Sequence, residues 1–480
     1  MGLNSVFEIG RSGLGIYQTA IEVTGQNIAN VNTQGYSRQQ VLLETAPPSS
    51  SNGFPMGSGA RIAAIQRTYD GLLQQQMVTA QSTEGNDTTK SNVLQQIEPT
   101  FNEVANDGLG AAISNFFGAW QDLTLNPAGS TERQTVLSRA KSMIDNFNSI
   151  STTLNNTITA QDNALVPLTG DISANLKNIA QLNDQIKIYQ VVSGSANELK
   201  DRRDQFIRDL STKVGVSYTE NSDGTVDVTL TGGGQALVTG NKYAAMFTDN
   251  AGGTTTNDIY ITAVGNPPLA AILANGTIIT ATVGGTNNSL GELGATLAIR
   301  DTKIPGYLAK VDELAFQIAS NVNTKHSAGY ALDGATTGVI FFTNLAASTG
   351  SAKNISMNIS TYDQVAAAKN AAAPGDNSNA LLIAQLQNTS IAFTTGSATF
   401  NSYYDGLASG IGLDVQSAKN TVAQDTAFTQ QLSALRESNS GVSLDEELTN
   451  LMKYQRSYQA SAKLLNAATD MMDVVLGLIR

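Results

Sequence analysis

The chain has 480 residues, with 28 lysines and arginines against 40 acidic residues, a formal net charge of −12. Such an acidic chain repels phosphate backbones, so nucleic acid is excluded as a partner. There is no cysteine and a single histidine, which rules out disulfides, thiolate metal sites, cysteine nucleophiles and multi-histidine metal centres. Only 14% of residues are charged, where about 25% is usual. Neutral Asn, Gln, Ser and Thr fill the difference, and neutral polar surfaces can stack on copies of themselves without repulsion. The length allows about two to four domains.

The N-terminal stretch MGLNSVFEIGRSGLG lacks a basic segment followed by an apolar one, so no conventional secretory signal is expected. No run approaches the ~18 apolar residues of a membrane span, and no membrane partner is expected. Phe7, Leu14, Ile21 and Ile28 recur every seventh residue, with Leu3, Tyr17 and Val31 on the complementary positions. A seven-residue apolar repeat marks helices that pack side by side. Gly10, Gly13, Gly15 and Gly25 lie in the same stretch. Each costs an isolated helix up to ~1 kcal/mol relative to Ala, so this helix should be unstable alone, but its glycines let a neighbouring backbone come close.

All 10 prolines lie between Pro47 and Pro374. Their absence from both ends agrees with long helices there. Pro47 and Pro48 end the first arm, and a Ser/Gly-rich loop is expected through Gly59. From about Thr83 to Ser211 the pattern is helical, and Ile172, Leu176, Ile179, Leu182 and Ile186 make one apolar face. The charged run ELKDRRDQFIRDL, within 195–211, reads as a helix with a wet outer face.

The pattern then changes. Val216–Tyr218 and Val226, Val228 and Leu230 alternate with polar residues around Asn221-Ser222-Asp223-Gly224, a strong hairpin signal. Turn-rich sequence continues to about Asn288, so a β domain with its own core, inserted between helical segments and facing outward, is expected. Helical pattern resumes from Leu290 to about Asn323, bent at Pro305. Short β-like runs follow at Val339–Phe342 and Ile355–Ile359. From Asn379 onward the chain reads as helix, with a break near Asn439–Gly441.

The C-terminal arm opens on Ser443-Leu444-Asp445-Glu446, which reads as a capping box. Leu444, Leu451, Tyr458, Leu465, Met472 and Ile479 then repeat the spacing of seven, with Leu448, Ala462 and Leu476 between them. Matching stripes at the two ends suggest that the termini meet and that the protein is built to assemble. The expected fold class is mainly α with an inserted β domain. Residues 1–46 and 441–480 would pair as an inner domain. Residues 47–215 and 289–440 would form a discontinuous helical middle domain, and residues 216–288 a β-rich outer one.

No catalytic, cofactor or metal site stands out. His326 reads as a helix-end histidine beside Lys325. The Gly232-Gly233-Gly234 run lacks the Lys and Ser or Thr of a phosphate loop. Asp223 and Asp227 do not have the spacing of a calcium loop. No cofactor and no enzymatic activity are expected.

The stretch Asn27-Ile28-Ala29-Asn30-Val31-Asn32-Thr33-Gln34-Gly35-Tyr36-Ser37-Arg38 resembles the signature after the first helix of bacterial flagellar rod, hook and hook-associated proteins. Arg436-Glu437-Ser438, Ser443 to Glu447, and Tyr454-Gln455-Arg456-Ser457-Tyr458-Gln459-Ala460 are similar to the closing segment of the same families. Ile299-Arg300-Asp301, Ile304-Pro305, Asn323 to His326 and Gly375-Asp376-Asn377 narrow the resemblance to the hook–filament junction family. The resemblance is weakest over 216–288. It implies a structural function: a ring of subunits joining hook to filament. It further implies contacts with the hook protein, and with a second junction protein that leads to the filament. Export through the flagellar type III apparatus without a cleaved signal peptide is implied as well, with a chaperone holding the C-terminal arm and an extracellular location on the flagellum. Another axial subunit of flagellin or hook type, and a secreted adhesin, remain as alternatives. A secreted hydrolase would need a site, and none is visible.

Overall fold

The structure, a computed structural model, describes residues 3–51, 54–101, 108–249, 256–267, 276–281 and 290–477. Helix α1 (Leu3–Ala29) is followed by a long hairpin, with β1 (Gln39–Thr45) antiparallel to β4 (Ala60–Arg67) and β2 (Ser49–Ser51) antiparallel to β3 (Phe54–Met56). The first arm is therefore helical only to Ala29. Residues expected to continue it, or to form a Ser/Gly loop, are strands. Neither Gln39–Thr45 nor Ala60–Arg67 alternates strictly between polar and apolar residues, so the local pattern carried little strand signal there.

Next come α2 (Gly71–Ile97), α3 (Leu109–Leu123), α4 (Ser130–Ser193) and α5 (Asn197–Lys213). Asp70 caps α2, its Oδ1 accepting from the Leu72 and Leu73 amides at 3.0 and 3.1 Å. The 64 residues of α4 make a spine about 96 Å long at ~1.5 Å per residue. Pro167 sits inside it, so proline did not end this helix.

Two cores share the spine. Its first half, through Val136, Met143, Phe147 and Leu154, packs with α3, with α7 (Ile304–His326) and with the start of α9 (Phe400–Ser440). Its second half, through Leu165, Ile172, Leu176 and Ile179, packs with α5, with α6 (Gly291–Ala298) and with the β region. The expected face Ile172–Ile186 is buried throughout. Between α6 and α7, residues Ile299–Lys303 form a π-helical turn, and Pro305 falls in the first turn of α7, where its missing N–H costs nothing.

In the β region, β5 (Val216–Glu220), β6 (Val226–Leu230), β7 (Ala236–Thr239) and β8 (Lys242–Tyr243) form an antiparallel meander. A second sheet runs β11 (Thr277–Ile278), β10 (Asp258–Ile261), β9 (Met246–Asp249). The hairpin turn falls at Asn221–Gly224, and Gly224 takes φ +77°, as expected of this turn. The core beneath these strands is shared rather than their own: Val226, Val228, Leu237, Ile259 and Ile261 lie against Leu176, Ile179, Leu293 and Leu297. An alternating strand signal cannot say what its buried face rests on.

The runs at 339–342 and 355–359 meet in one isolated bridge, Phe342 to Met357, and not in a strand pair. Helix α8 (Ser378–Ala384) and a small hairpin, β12 (Ile391–Phe393) with β13 (Gly396–Ala398), precede α9; that hairpin was not expected. The chain ends in α10 (Leu444–Gly477), after a break at 441–443.

His326 ends α7 but is fully buried among Trp120 and Phe341. Its Nδ1–H donates to Val339 O at 2.7 Å, and Nε2 accepts from the Ala366 amide at 2.9 Å. Burial, aided by Arg133, pushes its pKa down to about 4, against the backbone bond to Val339. An unfolded histidine titrates near ~6.5, so as pH falls from there to about 4 the unfolded chain binds a proton that the native ring refuses. Stability present above that window is lost within it. We expect wild type to lose about 2 kcal/mol more than His326→Gln between pH 7.5 and pH 5.0 in urea unfolding. Equal losses in the two proteins would show that this ring is not what titrates.

Candidate assembly site at the root of the terminal helices

Helices α1 and α10 lie side by side. Two of the α1 glycines explain the close approach. A Cβ on Gly10 would lie 3.2 Å from Leu465 Cδ1, and one on Gly13 would lie 2.8 Å from Ser461 Oγ. Gly15 and Gly25 face open space.

Within one chain the buried side of α1 is not the line marked by the seven-residue repeat. Ile16, Ala20, Val23, Thr24 and Asn27 are buried, on the side that holds the hairpin and α10. Phe7, Leu14, Tyr17, Ile21 and Ile28 are half-buried. On α10, Leu451, Leu465 and Met472 are half-buried, whereas Leu444, Leu448, Tyr458 and Leu476 are exposed. The backbone of Leu3 belongs to α1, its side chain lies outside the described part, and Ile479 lies outside the described residues. A repeat gives the period of a stripe, but not its rotation about the helix when a hairpin also competes for contact.

The family-like motif between α1 and β1 is the knot that ties the pair to the rest. Asn27 is 1% exposed, and its amide is fully used. Nδ2 donates to Gln39 O at 2.9 Å and to Glu447 Oε2 at 3.0 Å. Oδ1 accepts from Tyr36 Oη at 2.9 Å and from the Gln39 amide at 3.0 Å. Burial, with Asp201 and Glu198 nearby, pushes the Tyr36 phenol up to about 12. It therefore stays a donor at any physiological pH.

Arg38 crosses to α10. Its Nε pairs with Glu447 Oε1 at 2.7 Å and its Nη1 with Glu446 Oε2 at 2.7 Å. Glu446, expected to close a capping box with Ser443, instead meets Arg38. The Arg38 amide donates to Ser440 O at 2.9 Å, at the end of α9. Arg436 Nη2 reaches back to Gly35 O at 2.7 Å. Asn30 builds the turn between α1 and the hairpin: Thr33 Oγ1 donates to its Oδ1 at 3.1 Å. Gly35 needs its φ of +84°, and a Cβ there would sit 3.2 Å from Arg208 Nη2. Asn32 and Thr33 are exposed.

On the other side lies α5. The Ser37 amide donates to Asp201 Oδ2 at 2.9 Å. Arg67, at the end of β4, pairs with Asp201 at 2.7 Å and Asp204 at 2.8 Å, all three side chains buried. Burial acts to lower the Arg67 pKa, but Asp204 and Asp201 outweigh it and raise it. Burial holds the Asp201 carboxyl above its usual range against the pull of Arg67. Arg208 Nη1 donates to Gln74 of α2 at 2.8 Å.

The outer face of α5, expected to be wet, is therefore an internal charge network: Asp201, Arg203, Asp204 and Arg208 are all buried. Sequence reasoning passed over these residues. Their signal was present, since 201, 204 and 208 step by three and four along one helix face, but a charged stripe usually faces solvent. Chemically the arrangement holds and transmits: one short motif fastens α1, β1, α5, α9 and α10, and its bonds to Glu447 and Asp201 are charge-assisted. Among the described residues no cluster of metal-binding side chains occurs, and no helix is long and apolar enough to cross a membrane.

Both ends of the chain match models of flagellar rod proteins. Residues 7–36 match the flagella basal body rod protein model, and residues 436–478 the flagellar basal body rod FlgEFG protein C-terminal model. These two segments are the ones the knot joins, and each is similar to part of a flagellar protein. Residues 94–342, more than half of the chain, match the helical domain of flagellar hook-associated protein FlgK. The chain belongs to the FlgK family.

It is 28% identical to flagellar hook-associated protein 1 of Bacillus subtilis, over 98% of this chain and 97% of that one. It is 25% identical to the protein of that name from Salmonella typhimurium, over 99% and 100%. The solved structure of the flagellar hook junction protein FlgK from Burkholderia pseudomallei has the same fold, with a TM-score of 0.63 over 76% of this chain and all of that one at 17% identity.

Proposed function

We infer that this chain is a structural subunit of the bacterial flagellum at the junction of hook and filament, required for the filament to assemble. The knot centred on Asn27 carries the reading. A subunit between a hook and a filament must pass force from its inner helices to its outer mass, and buried ion pairs with fixed partners do that without slack. The chain acts by assembly and not by catalysis. In this reading residues 1–46 and 441–480 form the inner domain, 47–215 and 289–440 the middle one, and 216–288 the outer one. Phe7, Leu14, Tyr17, Ile21 and Ile28, with Leu444, Leu448, Tyr458 and Leu476, supply side chains to neighbouring copies. Exposed apolar residues along α10, beside the half-buried stripe of α1, support this. The partners are further copies in a ring, the hook protein, and a second junction protein leading to the filament. A chaperone covers the C-terminal arm before type III export.

Deleting the gene should leave hooks without filaments and unassembled filament protein in the medium; normal filaments on the deletion strain would overturn the reading. Leu465→Asp should restore no filaments, because it sets a carboxylate against Gly10 where Leu465 now packs. The purified variant should keep the cooperative melting of its helical cores. Motile cells carrying it would remove Leu465 from the packed seam.

A further inference from the structure

The Ile299-Arg300-Asp301 motif takes no part in the knot. It stands where the two cores meet. Leu293 and Leu297 of α6 lie in the second core, and Ile299 and Ile304 lie in the first. The π-helical turn Ile299–Lys303 makes that change, because its wider repeat turns the apolar face from one core to the other.

Two more helices cross from core to core, and each is weakened on the way. On α4 the first core ends at Leu154 and the second begins at Leu165, and no residue of 158–164 is fully buried. Pro167 follows at once, with no N–H for the Asn163 carbonyl, the usual cause of a helix bend. On α2, Val78 belongs to the second core and Val93 to the first, with Gly85 between them. There Thr83 and Thr89 turn their hydroxyls back to the carbonyls of Thr79 and Gly85, at 3.2 and 2.8 Å. Such back-bonding bends helices. A π turn, a proline and a glycine with threonines thus mark one boundary on three helices.

Arg300 ties that boundary shut. Its side chain is 2% exposed, and that of Asp162, on the uncovered turn of α4, is 13% exposed. Nη1 donates to Asp162 Oδ1 at 2.6 Å and to Asn257 O at 2.6 Å. Nε and Nη2 hold Asp301 at 2.7 and 3.0 Å. Asn257, at the entry to β10, completes the ring: its amide and its Nδ2 donate to Asp162 Oδ1 and Oδ2 at 2.9 and 2.7 Å. One guanidinium therefore joins α4, the π turn and the β region.

We propose that this boundary is a flexure between two lobes of the chain, one around each core, and that Arg300 is the latch that holds the lobes at one angle. A joint needs only a few positions that absorb the change. The pair sets a threshold, because parting two largely buried charges is strongly resisted until the bonds give way together. In an axial subunit, a load past that threshold would change the angle between lobes before either core unfolds. The latch itself is a property of the single chain and does not rest on the junction reading.

The test uses the isolated full chain, which has no cysteine of its own. Lys353→Cys, next to Ala352 of the first core, and Lys242→Cys, on β8, are both at exposed positions. Labelled there with a donor and an acceptor dye, the chain should give one narrow peak in single-molecule energy transfer; a broad or double peak would overturn the latch. Arg300→Met, which keeps the apolar stem and removes the bonds, should broaden and shift that peak. So should Asp162→Ala, the milder change at the more exposed partner. A wild-type peak in either folded variant would overturn the proposal. The single tryptophan, Trp120, is fully buried in the first core and serves as the internal check. Its emission should stay as in wild type, and a red shift accompanying the broadening would overturn the flexure in favour of an unfolded core. Asp171→Ala removes the pair to Lys213 at 3.2 Å, away from the boundary. It should leave the peak narrow; broadening there as well would show that no particular latch exists.

Discussion

Asn27→Asp should abolish filament growth while leaving the helical cores folded. The substitution keeps the shape of the side chain but removes both Nδ2 hydrogens. It places a carboxylate where Glu447 Oε2 now stands 3.0 Å away. The Gln39 carbonyl loses its donor as well. Two buried carboxylates facing each other, with one cation shared through Arg38, should cost about 3–5 kcal/mol. That is enough to release α10 from the knot. Amide exchange should show α10 and the end of α1 losing protection, with little change in α3 or α7. The new carboxyl can regain a donor by taking up a proton, so part of the protection should return as pH falls toward 5. Wild-type filaments on cells carrying Asn27→Asp would mean that the knot is not needed for assembly.

Gly85→Ala should be strongly damaging although it adds a single methyl inside a helix. Gly85 lies where α2 crosses α5, and a Cβ there would stand 2.3 Å from the Thr212 carbonyl oxygen and 3.1 Å from its carbon. Backbone cannot move aside as a side chain can, so α2 and α5 must separate. The cost should be about 3 kcal/mol, against the ~1 kcal/mol that alanine gains over glycine in a helix. The separation would also pull Gln74 from Arg208, which carries strain into the knot. Gly118→Ala in α3 is the matched control, since a Cβ there meets nothing within 4 Å. It should stabilise by up to ~1 kcal/mol. Urea midpoints of the two variants should therefore move in opposite directions. A shift of the same sign in both would show that helix propensity, and not the α2–α5 crossing, decides the outcome.

Wherever a local pattern had one physical solution, the sequence alone determined the element. The face Ile172–Ile186 could only be one side of a helix, and Asp223-Gly224 between alternating runs could only be a turn. Helical arms at the two ends followed from the repeat, and the family followed from Asn27 to Arg38 and its counterpart after Arg436. What the sequence left undecided were questions of partner. The repeat gave a period to α1, but the competing hairpin rotated its buried side to Ile16, Ala20 and Val23. The ELKDRRDQFIRDL helix had the composition of a solvated surface. Only the tertiary structure brings Arg67 and the Ser37 amide, both distant in sequence, to its carboxylates. The β strands declared their own alternation, yet nothing in it says that their inner face shares a core with α4. Hydrogen bonds and ion pairs between distant segments depend on where the chain returns, and a local pattern carries no record of that. Asn27 was legible as part of a signature, and its work, four hydrogen bonds that tie the end of α1 to Tyr36, to β1 and to α10, exists only once the chain has folded.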